Sequence, residues 1–218
     1  MPIVFAAICL FALIALVVAE ARRDGDGIFL FKPIASVGFL GVGGTLVTAS
    51  HGEFGIAVLI GLVLGAAGDV VLMFRERRHS FVAGLVLFLL GHLAYIGAVA
   101  TVLPPTGWIG LGALGAPLVT GAVLAWLWPS LGSMKVPVVA YAIVITVMFI
   151  GAIGFGTSEL VHFPEGARIR FALGALLFFA SDGSVAYDRF VARSIANRGL
   201  GLSAYYVGQL LIASSLVS

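Results

Sequence analysis

Residues 61–74 read GLVLGAAGDVVLMF, and residues 174–190 read GALLFFASDGSVAYDRF. Each stretch belongs to a near-continuous apolar run of about 20 residues, the length an α-helix needs to cross a bilayer. Each also carries one aspartate, Asp69 or Asp182, where hydrocarbon is expected. A carboxylate inside a membrane helix costs at least about 2.5–3.5 kcal/mol on insertion scales. A chain that keeps two of them has a use for them.

The rest of the chain agrees with a bilayer setting. Of 218 residues, 61% are apolar and 10% charged, with a mean hydropathy of +1.16. Soluble domains run at about 25% charged. Apolar runs recur along the whole length, so the spans are expected to be helices rather than barrel strands. Twenty-nine glycines suit close helix contact in lipid. The net charge of +2 argues against a nucleic-acid partner. One cysteine, Cys9, in an apolar run leaves no disulfide framework and no thiolate metal site. Residues 1–20 lack a basic start and a small-residue cleavage pattern, and read as a span rather than a cleaved leader.

Eight candidate spans follow, at about 2–20, 33–50, 54–74, 81–102, 107–127, 136–155, 168–187 and 200–217. Pro104, Pro105 and Pro129 mark connections, and Pro33 and Pro137 are expected in the first turn of their helices. The expected fold is all-α, a polytopic integral membrane bundle of eight transmembrane helices forming one domain over 1–218. Ten of the twelve Lys and Arg fall after odd-numbered spans: Arg22, Arg23, Lys32, Arg75, Arg77, Arg78, Lys135, Arg189, Arg193 and Arg198. The excess of basic residues puts those loops in the cytoplasm and both termini outside it, in the inner (plasma) membrane if the chain is bacterial. A faint four-plus-four parallel repeat is also expected. Asp69 is followed by Arg75 and Asp182 by Arg189, and His92 and Tyr205 each lie 23 residues beyond their aspartate.

With that orientation, Asp69 and Asp182 come to matching depth, each about 9 Å of helix from a basic exit. Tyr205, Tyr206 and Gln209 enter from the same side. Lys32 opens span 2 there, Arg198 stands at the mouth of span 8, and His92 and Tyr95 lie deeper. The reading is a polar pocket open toward the cytoplasmic leaflet. Each residue also has a plainer use. The aspartates could be structural ion pairs, His92 could bond a carbonyl one turn away, and the tyrosines could be interfacial anchors. Lys32 could simply snorkel. Two carboxylates in one pocket suit acid/base work, in which one carries a proton while the other is ionised.

The runs Lys32-Pro33, Gly68-Asp69-x-x-Leu72, Gly91-His92-x-x-Tyr95, Ser181-Asp182 and Tyr205-Tyr206-x-x-Gln209 occur in order over most of the chain. This series resembles that of the YhhN-like family, which contains the lysoplasmalogenases. The resemblance implies a membrane hydrolase that cleaves the vinyl ether bond of a lysoplasmalogen, or of a related lysolipid, to a fatty aldehyde and a glycerophospho-base. It implies that Asp69 and Asp182 are catalytic. Lys32, Arg198 or the arginines at 75–78 would hold the phosphate, and His92, Tyr95, Tyr205, Tyr206 and Gln209 would orient substrate and water. Neither metal nor organic cofactor is called for, and the partners are the lysophospholipid, water and membrane lipid. The competing reading is a small proton-coupled transporter, since intramembrane Asp and His also make proton relays.

Overall fold

The computed structural model describes residues 1–48, 51–74 and 78–217. Arg75 and Arg77, invoked above for topology and phosphate contact, lie outside these residues. Among the described residues there are eight α-helices and no strand: α1 (Pro2–Arg22), α2 (Gly25–Leu46), α3 (Gly52–Leu72), α4 (Arg78–Val102), α5 (Leu111–Leu127), α6 (Lys135–Thr157), α7 (Glu165–Phe190) and α8 (Ile195–Ser214). Short 3-10 turns at Pro105–Trp108 and Trp128–Ser130 occupy the proline-marked connections.

Among the described residues, six segments are long and apolar enough to cross a membrane: α1 to α4, α7 and Gly132–Thr157, which contains α6. The chain is therefore a multi-pass integral membrane protein. At 17 residues α5 is shorter, and α8 carries Asn197, Arg198 and Gln209.

The start of α2 corrects the sequence reading. The helix begins at Gly25, not near residue 33, because the Asp24 carboxylate accepts a hydrogen bond from the Gly27 N–H at 3.1 Å and caps it. Lys32 thus lies two turns inside the helix, and it is buried. Pro33 is an interior proline rather than a first-turn one. It cannot donate to the carbonyl one turn back. Pro137 does lie in the first turn of its helix. Ser194 caps α8 through the Asn197 N–H at 3.3 Å, so that helix also starts earlier than the apolar pattern suggests.

Consecutive helices α1–α2, α3–α4 and α7–α8 form the most extensive pairs. Further contacts join α2 to α3, α4 to α6, α6 to α7 and α8 back to α1, closing a ring of seven helices. α5 packs on the outside of α6. α8 also touches α2 and α3 across the ring. Its close seat on α7 depends on two glycines. A Cβ on Gly174 would stand 2.6 Å from the Gly208 carbonyl oxygen, and one on Gly208 would stand 2.9 Å from that of Gly174. Backbones that approach this closely leave room only for glycine. Part of the core is an aromatic cluster, in which Phe54, Phe155, Phe163 and Phe171 meet in stacked, tilted and edge-to-face pairs at ring separations of 4.8–5.9 Å.

Candidate active site

Asp69 lies in the last turn of α3 and is 2% exposed. Both of its oxygens are engaged. Oδ1 is 3.6 Å from the Lys32 ammonium on α2. Oδ2 accepts from the Ser36 hydroxyl, also on α2, and from the Tyr205 hydroxyl on α8, each at 2.8 Å. The early start of α2 makes this possible. It puts Lys32 and Ser36 one turn apart on a helical face, where Ser36 Oγ lies 3.1 Å from the Lys32 carbonyl oxygen. Tyr206 supports the same group by donating to the Lys32 carbonyl at 3.2 Å.

A chain of hydrogen bonds runs back from Tyr205. Gln209 Nε2 donates to its hydroxyl at 3.4 Å, and the Tyr95 hydroxyl donates to Gln209 Oε1 at 2.8 Å. Gly65 leaves space for this relay. A Cβ there would stand 2.5 Å from Gln209 Nε2 and 3.2 Å from the Tyr205 hydroxyl.

Asp182 stands in the interior of α7 with its side chain 18% exposed. Its Oδ2 accepts from the Tyr141 hydroxyl on α6 at 2.7 Å. His92 Nε2 on α4 is 3.7 Å from the same oxygen. The other ring nitrogen, Nδ1, is 2.7 Å from the Phe88 carbonyl, which must accept, so Nδ1 carries the hydrogen. Nε2 has no hydrogen-bond partner among the described residues although it is fully buried. Among those residues Asp182 Oδ1 takes no hydrogen bond.

Each cluster draws on three helices. Asp69 comes from α3 and takes its partners from α2 and α8. Asp182 comes from α7 and takes its partners from α6 and α4. Between the two lie Phe88, Phe178 and Tyr205, with ring centroids 5.2–6.0 Å apart.

Both aspartates line a single cavity of about 170 Å³, together with Lys32, Tyr141 and Tyr205. One water needs roughly 10–15 Å³ by such a measure, so the cavity has room for water and a substrate group. It extends past Asp188, Arg189, Arg193 and Arg198, at the end of the bundle where the α7–α8 connection lies. Apolar side chains including Phe81, Leu85, Val138 and Phe190 form the remaining wall.

The other expected site residues divide into two groups. His92, Tyr95, Tyr206 and Gln209 have no exposed surface and stand behind the cavity walls rather than among them. Arg198 does line the cavity, but its guanidinium is held at 2.7 and 3.1 Å by Asp188 and at 2.8 Å by Glu20 of α1. Ser36 and Tyr141 escaped the sequence reading. Ser36 is one turn after Lys32, a spacing that could have flagged it. Tyr141 is an isolated hydroxyl in an apolar span, and nothing in the linear pattern ties it to Asp182. Among the described residues no three His, Cys, Asp or Glu side chains cluster as metal ligands would.

Comparison with known proteins adds independent information. A bovine (Bos taurus) protein named lysoplasmalogenase TMEM86A is 30% identical over 164 residues, covering 73% of this chain and 65% of its own length. The human protein of the same name is 31% identical over 165 residues, with the same two shares. A Mycobacterium bovis protein named lysoplasmalogenase is 32% identical over 163 residues, or 70% of this chain and 57% of its own. The chain thus spans less than two thirds of the length of these relatives. No solved structure is a significant match. The YhhN family pattern matches residues 27–216, from the first turn of α2 to beyond the end of α8, and the chain belongs to that family.

Proposed function

We propose that this chain is a membrane hydrolase of lysoplasmalogenase type, which cleaves the vinyl ether bond of a single-chain ether phospholipid. The observation that carries the reading is the pair of aspartates, each bonded to a tyrosine, on the wall of one cavity in an otherwise apolar bundle. The relatives named lysoplasmalogenase support it and give the proton-coupled transporter no comparable backing.

A vinyl ether hydrolyses by protonation of its outer alkene carbon. The resulting oxocarbenium ion adds water, and the hemiacetal collapses to aldehyde and alcohol. Asp182 is the proton donor in this scheme. Its Oδ2 is fixed by Tyr141, which leaves Oδ1 to carry the proton. Asp69 is the anionic partner, because an ammonium and two hydroxyl donors are the surroundings a carboxylate needs. It stabilises the cation and takes a proton from the attacking water. Lys32 and Tyr205 hold Asp69. Tyr95, Gln209 and Tyr206 act through Tyr205 and Lys32, and His92 acts through Asp182. Arg198 braces the mouth through its two carboxylates.

The same reading takes all eight helices as spans in a four-plus-four arrangement, with α2, α3 and α4 corresponding to α6, α7 and α8. It puts the arginine-rich mouth in the cytoplasmic leaflet. A cytoplasm-only reporter fused after Ser218 should then stay silent, and a strong signal would reverse the orientation. The activity is tested with purified protein in detergent. Lysoplasmenyl lipid should release aldehyde, while an ester lysolipid should not be consumed. Absence of aldehyde from protein that is folded and monodisperse would remove the reading.

A further inference from the structure

We propose that Arg189 and Arg193 are the phosphate-binding residues of this cavity. The ligand is then a single-chain phospholipid, gripped by its headgroup phosphate at the mouth while its reactive bond lies at Asp182. This inference rests on the function proposed above and assigns the site that selects the substrate.

Both arginines line the cavity with Asp182. Arg189 follows Asp182 by seven residues on the same helix. Seven residues make almost two full turns, so the two side chains share one face of α7, about 10 Å apart along the axis. In a lysoplasmalogen the vinyl ether and the phosphate leave opposite ends of one glycerol unit. A ligand placed along this wall therefore meets the carboxylate and the guanidinium together.

The Arg189 guanidinium lies over the Phe81 ring, with its central carbon 4.5 Å from the ring centroid. Stacking of this kind orients the planar fork that binds phosphate in bidentate fashion. Arg193 is exposed, just past the end of α7. Lys32 faces Asp69, and Asp188 is paired with Arg198. Phe81, Leu85 and Val138 supply apolar surface for the chain.

The test is equilibrium binding in detergent with two ligands that cannot react by vinyl protonation, a saturated 1-O-alkyl lysophosphocholine and the matching 1-O-alkylglycerol. Wild type should bind the phospholipid at least tenfold more tightly. Arg189→Gln combined with Arg193→Gln should abolish that preference and leave the alkylglycerol Kd unchanged, which also shows an intact cavity. An unchanged preference, or an equal loss for both ligands, overturns the assignment. Arg193→Gln alone, on the exposed connection, should reduce the preference at least threefold even if the double variant fails to fold. No reduction there counts against the proposal. Inorganic phosphate at equal concentration should not displace the lipid, and displacement would make this a plain anion site. Because neither ligand is cleaved, the result is independent of turnover. A phosphate preference without aldehyde release leaves the site standing and removes the hydrolase, and aldehyde release without the preference does the reverse.

Discussion

Asp69 and Asp182 line one cavity, yet their surroundings differ. Asp69 has both oxygens occupied, by a lysine, a serine and a tyrosine, and almost no exposure. Asp182 has one oxygen bound to one tyrosine, a histidine ring nearby, and a side chain partly open to the cavity. Asp69 is held by an ammonium and two hydroxyls, and Asp182 by a single hydroxyl. The difference lies in how many donors the neighbouring helices bring, and not in the aspartates themselves.

The comparison predicts a ranked series of effects. The largest belongs to the carboxylates. Asp69→Asn and Asp182→Asn should each lower aldehyde release by roughly 10²–10⁴-fold, and the double variant should be little worse than either single, as cooperating residues are. Near-normal release from either single variant would take that residue out of the mechanism.

Tyr141→Phe comes next. It removes the one hydroxyl that Asp182 receives. A hydrogen bond to a charged or reacting group contributes about 1.5–3 kcal/mol, so turnover should fall roughly 10–100-fold. Tyr205→Phe removes one of three partners from Asp69 and should do less. Equal effects from the two would erase the distinction between the sites.

Gly65→Ala should damage only the Asp69 side, because its new methyl would collide with Gln209 and press on Tyr205. Overpacking of this kind costs about 1–3 kcal/mol. The measurement is thermal stability in detergent beside Gly97→Ala, where a Cβ meets nothing within 4 Å. If the two variants melt alike, the relay behind Tyr205 tolerates the methyl. Ser36→Ala should be the mildest, a loss of a few-fold in turnover at about 0.5–1.5 kcal/mol. A loss as deep as that of Tyr141→Phe would mean that Asp69 depends on Ser36 alone.

Much of this arrangement was legible in the chain. The helical class, the connections at Pro104, Pro105 and Pro129, and the two conspicuous aspartates all follow from the energetics of apolar runs and buried charge. Where α2 starts did not follow, because Asp26 and Lys32 make residues 25–32 read as a loop. The cap at Asp24 and the pairing of Lys32 with Asp69 turn that stretch into helix, and the second of these is a tertiary contact. Tyr141 was invisible for the same reason. A hydroxyl in an apolar helix is unremarkable until another helix delivers a carboxylate to it. The positions of Tyr205 and His92, at equal offsets from Asp182 and Asp69, fit a crossed arrangement in which each serves the aspartate of the other half.

The ion pair between Glu20 and Arg198 joins residues 178 positions apart. Helices enter a membrane in the order in which they are synthesised. α1 therefore arrives with an acidic residue near its C-terminal end long before the arginine that will meet it exists. The ring can be fastened only when α8 slides in beside α1, and the same event brings Tyr205 to Asp69. Completion of the Asp69 cluster and closure of the ring thus both wait for α8, and a chain stalled before it would hold neither.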